Sequence, residues 1–205
     1  MTYYSIRPNK IMKYAFRNAL WRKNANEKKI YLTFDDGPIP EITPWVLDVL
    51  KEHHAKATFF CVGENVKKNQ VAFDRIINEG HAAANHSYNH LNGWRTKNEA
   101  YFENVKQCDQ LVHSKLFRPP YGKLKLSQYS QLQTQYSIVM WDVLAGDFDH
   151  SISKEKCLKN VLTKTRNGSI VVFHDSVKAS ERMQFALPKF LEHFKKKGFT
   201  FETLR

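Results

Sequence analysis

The chain has 205 residues, 42% hydrophobic and 13% aromatic, enough to bury one domain or one compact barrel but hardly two. Its formal net charge of +12 suits a polyanionic partner, such as an envelope polymer, a membrane surface or nucleic acid, although a lysine-rich outer face accounts for most of such an excess. The three cysteines, Cys61, Cys108 and Cys157, are odd in number and lack CxxC spacing, which points away from a disulfide frame or zinc knot and toward buried or free thiols.

Residues 1–27 form a basic, amphipathic N-terminal segment. Arg7, Lys10, Lys13, Arg17, Arg22 and Lys23 interrupt every apolar stretch, so neither a cleavable signal nor a transmembrane helix is expected. That makes the cytoplasm the default expectation, with peripheral contact to an anionic envelope or membrane left open. Ile11, Met12, Ala15, Phe16, Ala19 and Leu20 recur at helical spacing. They suit a helix lying on an anionic membrane or, as globular amphipathic helices are commoner, one closing the bottom of the domain.

From Lys28 onward, strand-like runs at 30–34, 57–62, 81–85, 115–118, 137–142, 169–174 and 199–204 alternate with helix-like stretches at about 44–54, 64–79, 98–113, 126–136, 154–166 and 181–197. Thr43 reads as the cap of the first helix and Pro44 as its first residue. Repeated βα units imply parallel strands, and without repeats or Gly/Ser linkers residues 28–205 read as one domain. Periodicity allows either an open doubly wound sheet or a barrel. Asp35 and Asp36, His86, Arg118 and Tyr121, Asp147, and His174 each fall at or just past the end of a strand. A barrel gathers those ends on one rim, so it is the more economical reading.

Adjacent acids such as Asp35 and Asp36 repel unless something divides their work, as a divalent cation does when it takes one and leaves the other. Alone, Asp-Asp-Gly-Pro is more readily a turn. One helical turn between His86 and His90 would bring both imidazoles to a metal, although nine histidines can produce such spacing by chance. Arg118-Pro119-Pro120-Tyr121-Gly122 could be a rigid loop, and His174 a core histidine. Their weight lies in their joint order.

Taken together, Thr33-Phe34-Asp35-Asp36-Gly37-Pro38, His86-Ser87-Tyr88-Asn89-His90, Arg118-Pro119-Pro120-Tyr121-Gly122, the stretch 141–148 and Val171-Val172-Phe173-His174-Asp175 resemble, in order, the motifs of the polysaccharide deacetylase family. This is the NodB-homology domain of carbohydrate esterase family 4, and the resemblance covers about residues 28–205. It implies a distorted (β/α) barrel, TIM-like with about seven strands, and a divalent metal, usually Zn2+, with Co2+, Ni2+ or Fe2+ tolerated. It makes Asp36, His86 and His90 the metal ligands and Asp35 the general base, paired with Arg118. His174 becomes the general acid, with Asp147 raising its pKa, and the backbone N–H of Tyr121 an oxyanion donor. Pro120, Tyr121, Trp141 and Val172 would line the substrate, the last two around the acetyl methyl, although core packing is the plainer reading of Val172.

Three positions depart from the pattern: Leu144 stands where many members carry an acid, Phe148 replaces the usual tryptophan, and Val172 replaces a leucine. They bear on substrate preference more than on catalysis. The resemblance implies a metal-dependent hydrolase acting on N-acetyl groups of a glycan such as peptidoglycan or chitin oligomers. The alternatives are an O-acetyl esterase on a xylan-like polymer, or a non-catalytic barrel that binds a glycan or anionic surface and whose metal is closed off by a fourth protein ligand. Dispersed basic residues argue against nucleic acid, and a monomer is expected.

Overall fold

The structure, a computed structural model, describes residues 4–24 and 26–204; residues 1–3 and 25 of the expected N-terminal segment lie outside the described residues. Strand β1 (Lys29–Asp35) is the axis of the fold, and its residues from Leu32 to Asp35 are buried on both faces, as in a strand covered on both sides. It pairs in parallel with β2 (Ala57–Cys61) and β7 (Ile170–His174), and by its first two residues with β8 (Thr200–Phe201). Beyond β2 come β3 (Ala82–Asn85), β4 (Leu116–Phe117) and β5 (Ser137–Ile138), and beyond β7 comes β6 (Val143–Leu144). Every ladder pairing among these strands is parallel.

The crossovers are α2 (Thr43–Glu52), the pair α3 (Gly63–Lys68) and α4 (Gln70–Asn78), α5 (Asn98–Val112), α6 (Leu126–Leu132), α7 (Lys154–Lys164) and α8 (Ser180–Lys196). Strand alternation sends Ile30, Leu32 and Phe34 of β1 and Val171 and Phe173 of β7 into one cluster with Leu187 and Phe190 of α8. The same alternation leaves Thr33, Asp35 and His174 facing the other way, into the curl of the sheet.

All seven expected strand segments are strands, and the fifth is split. Val139 donates to the Phe117 carbonyl at 2.8 Å, while Asp142 donates to Ile170 at 2.9 Å. One stretch of chain therefore leaves the β4 edge of the sheet and joins the β7 edge, which makes the architecture a distorted (β/α) barrel. The helix expected over 64–79 breaks at Asn69, whose side chain instead donates to the Pro38 carbonyl at 3.0 Å. Thr43 is not the cap of α2: Ile42 holds that position, and the Thr43 hydroxyl accepts from Ile39 at 2.8 Å and donates to Asp175 at 2.6 Å.

The helix expected within 11–20 is confined to α1 (Lys10–Ala15), none of whose residues is buried; Ile11 and Tyr14 point outward. The flanking residues do the packing. Phe16, Ala19 and Trp21 are buried with Met140 and Trp141, and Leu20 pairs beside Val139 while its carbonyl accepts from Met140 at 2.9 Å. The three cysteines are free and buried. Among the described residues no helix is long and apolar enough to cross a membrane.

Candidate active site

The register of β1 on β7 sets Asp35 beside His174. Asp35 is buried, and its carboxylate takes a hydrogen bond from Arg118 Nη1 at 2.5 Å. The same guanidinium donates to Thr33 Oγ1 at 2.8 Å and to the Met140 carbonyl at 3.0 Å, and lies 4.0 Å above the Phe60 ring. Burial pulls the Arg118 pKa down, and the Asp35 charge opposes it. A buried ion pair this fully partnered is fixed in place, because removing one member strands the other charge in a dry interior.

Asp36 is the next residue, and a left-handed φ of 87° turns it away from Asp35. Its Oδ1 lies 3.2 Å from His90 Nε2 and 3.9 Å from His86 Nε2. Burial works against the Asp36 charge, but the hydrogen bond with His90 and the imidazoles of His174, His90 and His86 outweigh it and hold this carboxyl well below the usual range. Behind it, Asp175 accepts from Gly37 N–H at 3.1 Å and from the Thr43 hydroxyl. A Cβ on Gly37 would collide with that carboxylate, so the position admits only glycine. Burial pushes Asp175 up to about 8.

His86 leaves the end of β3 with Nδ1 at 2.8 Å from the Arg118 carbonyl, so a proton on Nδ1 leaves Nε2 free as a donor atom. Burial lowers its pKa to about 4, which keeps the ring neutral as ligation demands. No helical turn joins it to His90. The connection is a loop with Ser87 and His90 at φ of 63° and 55°, and Asn104 of α5 clamps it by accepting from Tyr88 and Asn89 at 2.9 and 3.1 Å. Asn85 accepts from Ser87 at 2.8 Å.

Asp147 is fully buried and grips His174 twice, accepting from its backbone N–H at 2.7 Å and meeting its Nδ1 at 2.8 Å. Burial alone lowers the His174 pKa; Asp147 more than reverses this and raises it to about 9, giving an imidazolium with Nε2 as its free end. Phe148 meets the His174 ring edge-on at 4.9 Å, and Arg182 of α8 donates to the Asp147 carbonyl at 2.8 Å.

Tyr121 adopts φ 61° in a short turn over Pro120–Gly122; its exposed ring meets His90 edge-on at 4.6 Å, and Pro120 is buried. Gly122, also left-handed, lets Trp141 pack against bare backbone. Val172 lies in the core with Trp141 and Leu144. Four of the six non-glycine residues with positive φ among the described residues, Asp36, Ser87, His90 and Tyr121, sit here, a concentration of strain typical of functional sites.

The structure thus brings together Asp35, Asp36, His86, His90, Arg118, Tyr121, Asp147 and His174. Sequence reasoning missed Asp175, Asn85 and Asn104 as the clamps, though Asp175 adjoins His174. It also missed Trp94, exposed on the next loop with its indole N–H on the Leu124 carbonyl at 3.1 Å.

One carboxylate and two imidazoles whose donor atoms lie within 4.8 Å of one another fit a divalent cation, and among the described residues no fourth His, Cys, Asp or Glu joins them. Three protein donors with room for water are the pattern of a catalytic centre, here on the rim of a distorted barrel beside an acid–base pair. The fold and the site define a barrel hydrolase. A family model described as polysaccharide deacetylase matches residues 22–139. A peptidoglycan-N-acetylglucosamine deacetylase of Bacillus cereus is 35% identical over 187 residues, 87% of this chain and 68% of that one. The crystal structure of the Bc1960 peptidoglycan N-acetylglucosamine deacetylase superposes with a TM-score of 0.85 at 33% identity, covering 95% of this chain and 92% of that one. A carbohydrate esterase family 4 pseudoenzyme of Bacillus anthracis also superposes, with a TM-score of 0.78 at 25% identity over 90% of this chain and 66% of that one. The chain belongs to the polysaccharide deacetylase family, and is an enzyme of that class.

Proposed function

We propose that the chain removes N-acetyl groups from an N-acetylglucosamine-containing glycan of the peptidoglycan type, with zinc held by Asp36, His86 and His90. The observation that carries this is the division of the adjacent acids: Asp35 is committed to Arg118, and Asp36 faces the two imidazoles. The similar peptidoglycan N-acetylglucosamine deacetylases support the choice of glycan.

A divalent cation at this position supplies a polarised acetyl carbonyl and a more acidic water. Asp35, held in place by its ion pair with Arg118, takes the proton from the attacking water. The Tyr121 backbone N–H is the donor for the developing oxyanion, on a turn fixed by Pro120 and Gly122. As the C–N bond breaks, its electron pair stays on the sugar nitrogen, which takes the proton from His174 Nε2 while Asp147 holds Nδ1. Trp141, with Val172 packed behind it, shapes the wall for the acetyl methyl, and the exposed faces of Tyr121 and Trp94 suit sugar rings.

The test is Asp35→Asn, assayed for zinc content and for acetate released from chitooligosaccharides and peptidoglycan. Zinc is retained and turnover falls by roughly 10²–10⁴. Undiminished turnover removes Asp35 from its role.

A further inference from the structure

Residues 4–6 run beside the stretch that carries Trp141 and Asp147, at the rim and ahead of residues 22–139 matched by the family model. The Ile6 carbonyl accepts from Leu144 N–H at 2.9 Å, and the Ser5 carbonyl from the Trp141 indole at 3.4 Å. The Tyr4 hydroxyl donates to Asp149 at 2.8 Å, and its ring meets Phe148 edge-on at 4.9 Å. Phe148 in turn meets His174 edge-on at the same 4.9 Å. Gly146, left-handed at φ 78°, brings the backbone under the Tyr4 ring, where a Cβ would sit 3.1 Å from the hydroxyl.

The loop from 145 to 149 is neither helix nor strand, yet it must hold Asp147 to hydrogen-bond precision on His174. Its outer side is covered by this strap, and an aromatic path runs from the strap to the acid through Tyr4, Phe148 and His174. Asp147 holds the imidazole at Nδ1 while Phe148 meets the ring edge-on, a second contact that fixes its tilt and hence the aim of Nε2. We propose that Tyr4 is a positioning residue, acting through Phe148 to aim His174 at the leaving nitrogen. This rests on the deacetylase reading above and adds to the site a residue outside its five motifs.

An acid that is misaimed harms an amine leaving group, which must be protonated, and spares p-nitrophenolate, which leaves unaided. The experiment compares wild type, Tyr4→Ala and Tyr4→Phe, all zinc-loaded, on chitooligosaccharides and on p-nitrophenyl acetate. In Tyr4→Ala, kcat for the glycan falls by about tenfold or more with KM little changed, while ester hydrolysis stays within about twofold. Tyr4→Phe, which keeps the ring and loses the hydrogen bond, recovers most of the glycan activity. Should Tyr4→Ala not fold, Phe148→Leu cuts the same path and gives the same amide-selective loss. Parallel loss on both substrates, no loss on either, or a Tyr4→Phe variant as poor as Tyr4→Ala overturns the inference while the deacetylase reading stands. A wild-type chain that releases no acetate from any glycan overturns both.

Discussion

Asp35 and His174 stand on neighbouring strands in direct register, whereas His86, His90 and Tyr121 stand on loops that bend through left-handed residues. The two sides of the site are held by different physics. On the strand side, backbone ladders and period-two alternation aim the proton-handling groups, and buried ion pairs lock them. On the loop side the ladder ends at His86, whose N–H donates to the Cys61 carbonyl at 3.0 Å, and beyond it side chains that accept from backbone N–H groups, Asn85 and Asn104, replace it. Damage on the strand side should therefore be paid mainly in stability, and damage on the loop side mainly in metal affinity.

The sharpest way to break that contrast is Arg118→Leu. It leaves the buried Asp35 carboxylate without its guanidinium and takes one of two hydrogen bonds from Thr33 Oγ1, which keeps its bond to the Val171 carbonyl. Stability falls by about 3–5 kcal/mol, read as a lower urea midpoint at unchanged slope. A loss below about 1 kcal/mol would show that water, not Arg118, compensates Asp35, and the two sides of the site would no longer differ in kind.

The strand side was also the legible one. An apolar run ending in Asp35-Asp36, and another ending in His174, announce strand ends and what they carry, because the same alternation that buries Phe34 and Phe173 aims their neighbours inward. On the loop side the structure brings the expected donors together, but through a loop and not the expected helical turn. A four-residue spacing between His86 and His90 suits a helical turn, and neither Ser87 nor His90 signals the left-handed conformation that a glycine would have announced. The split of 137–142 was hidden for a related reason: Ile138 to Trp141 stay apolar while the pairing partner changes from β4 to β7, which is a tertiary event. Thr43 before Pro44 has the look of a cap, but its hydroxyl is claimed by Asp175, far away in sequence.

Asn104→Ala tests the loop side. The variant frees the Asn89 N–H and side chain and leaves the Tyr88 N–H only the backbone carbonyl of residue 104, so it loosens the arc between His86 and His90, one step removed from the donors themselves. Zinc affinity, measured by competition with a chromophoric chelator, weakens by about 10- to 100-fold, the usual cost of losing a group that orients a ligand. Binding as tight as in wild type, with stability lowered instead, would mean that the loop is held by its strained backbone alone and that Asn104 merely packs.

The smallest effect is one of pH, and it belongs to the strand side. Asp147 raises the pKa of His174 from 6.5 to about 9, so the folded state holds this proton more tightly than the unfolded chain does. The stabilisation is complete below pH 6.5 and is lost as pH rises through about 9. Between those values the metal-free protein should lose stability steadily, and over the same upper range kcat for amide substrates should fall as the proton donor is removed. Asp147→Asn takes away the charge that causes the shift, so its stability should be flatter over that window and its basic kinetic limb should move to lower pH. If the limb stays where it is, the proton delivered to the leaving amine comes from a group other than His174, and the His174–Asp147 pair serves structure rather than chemistry.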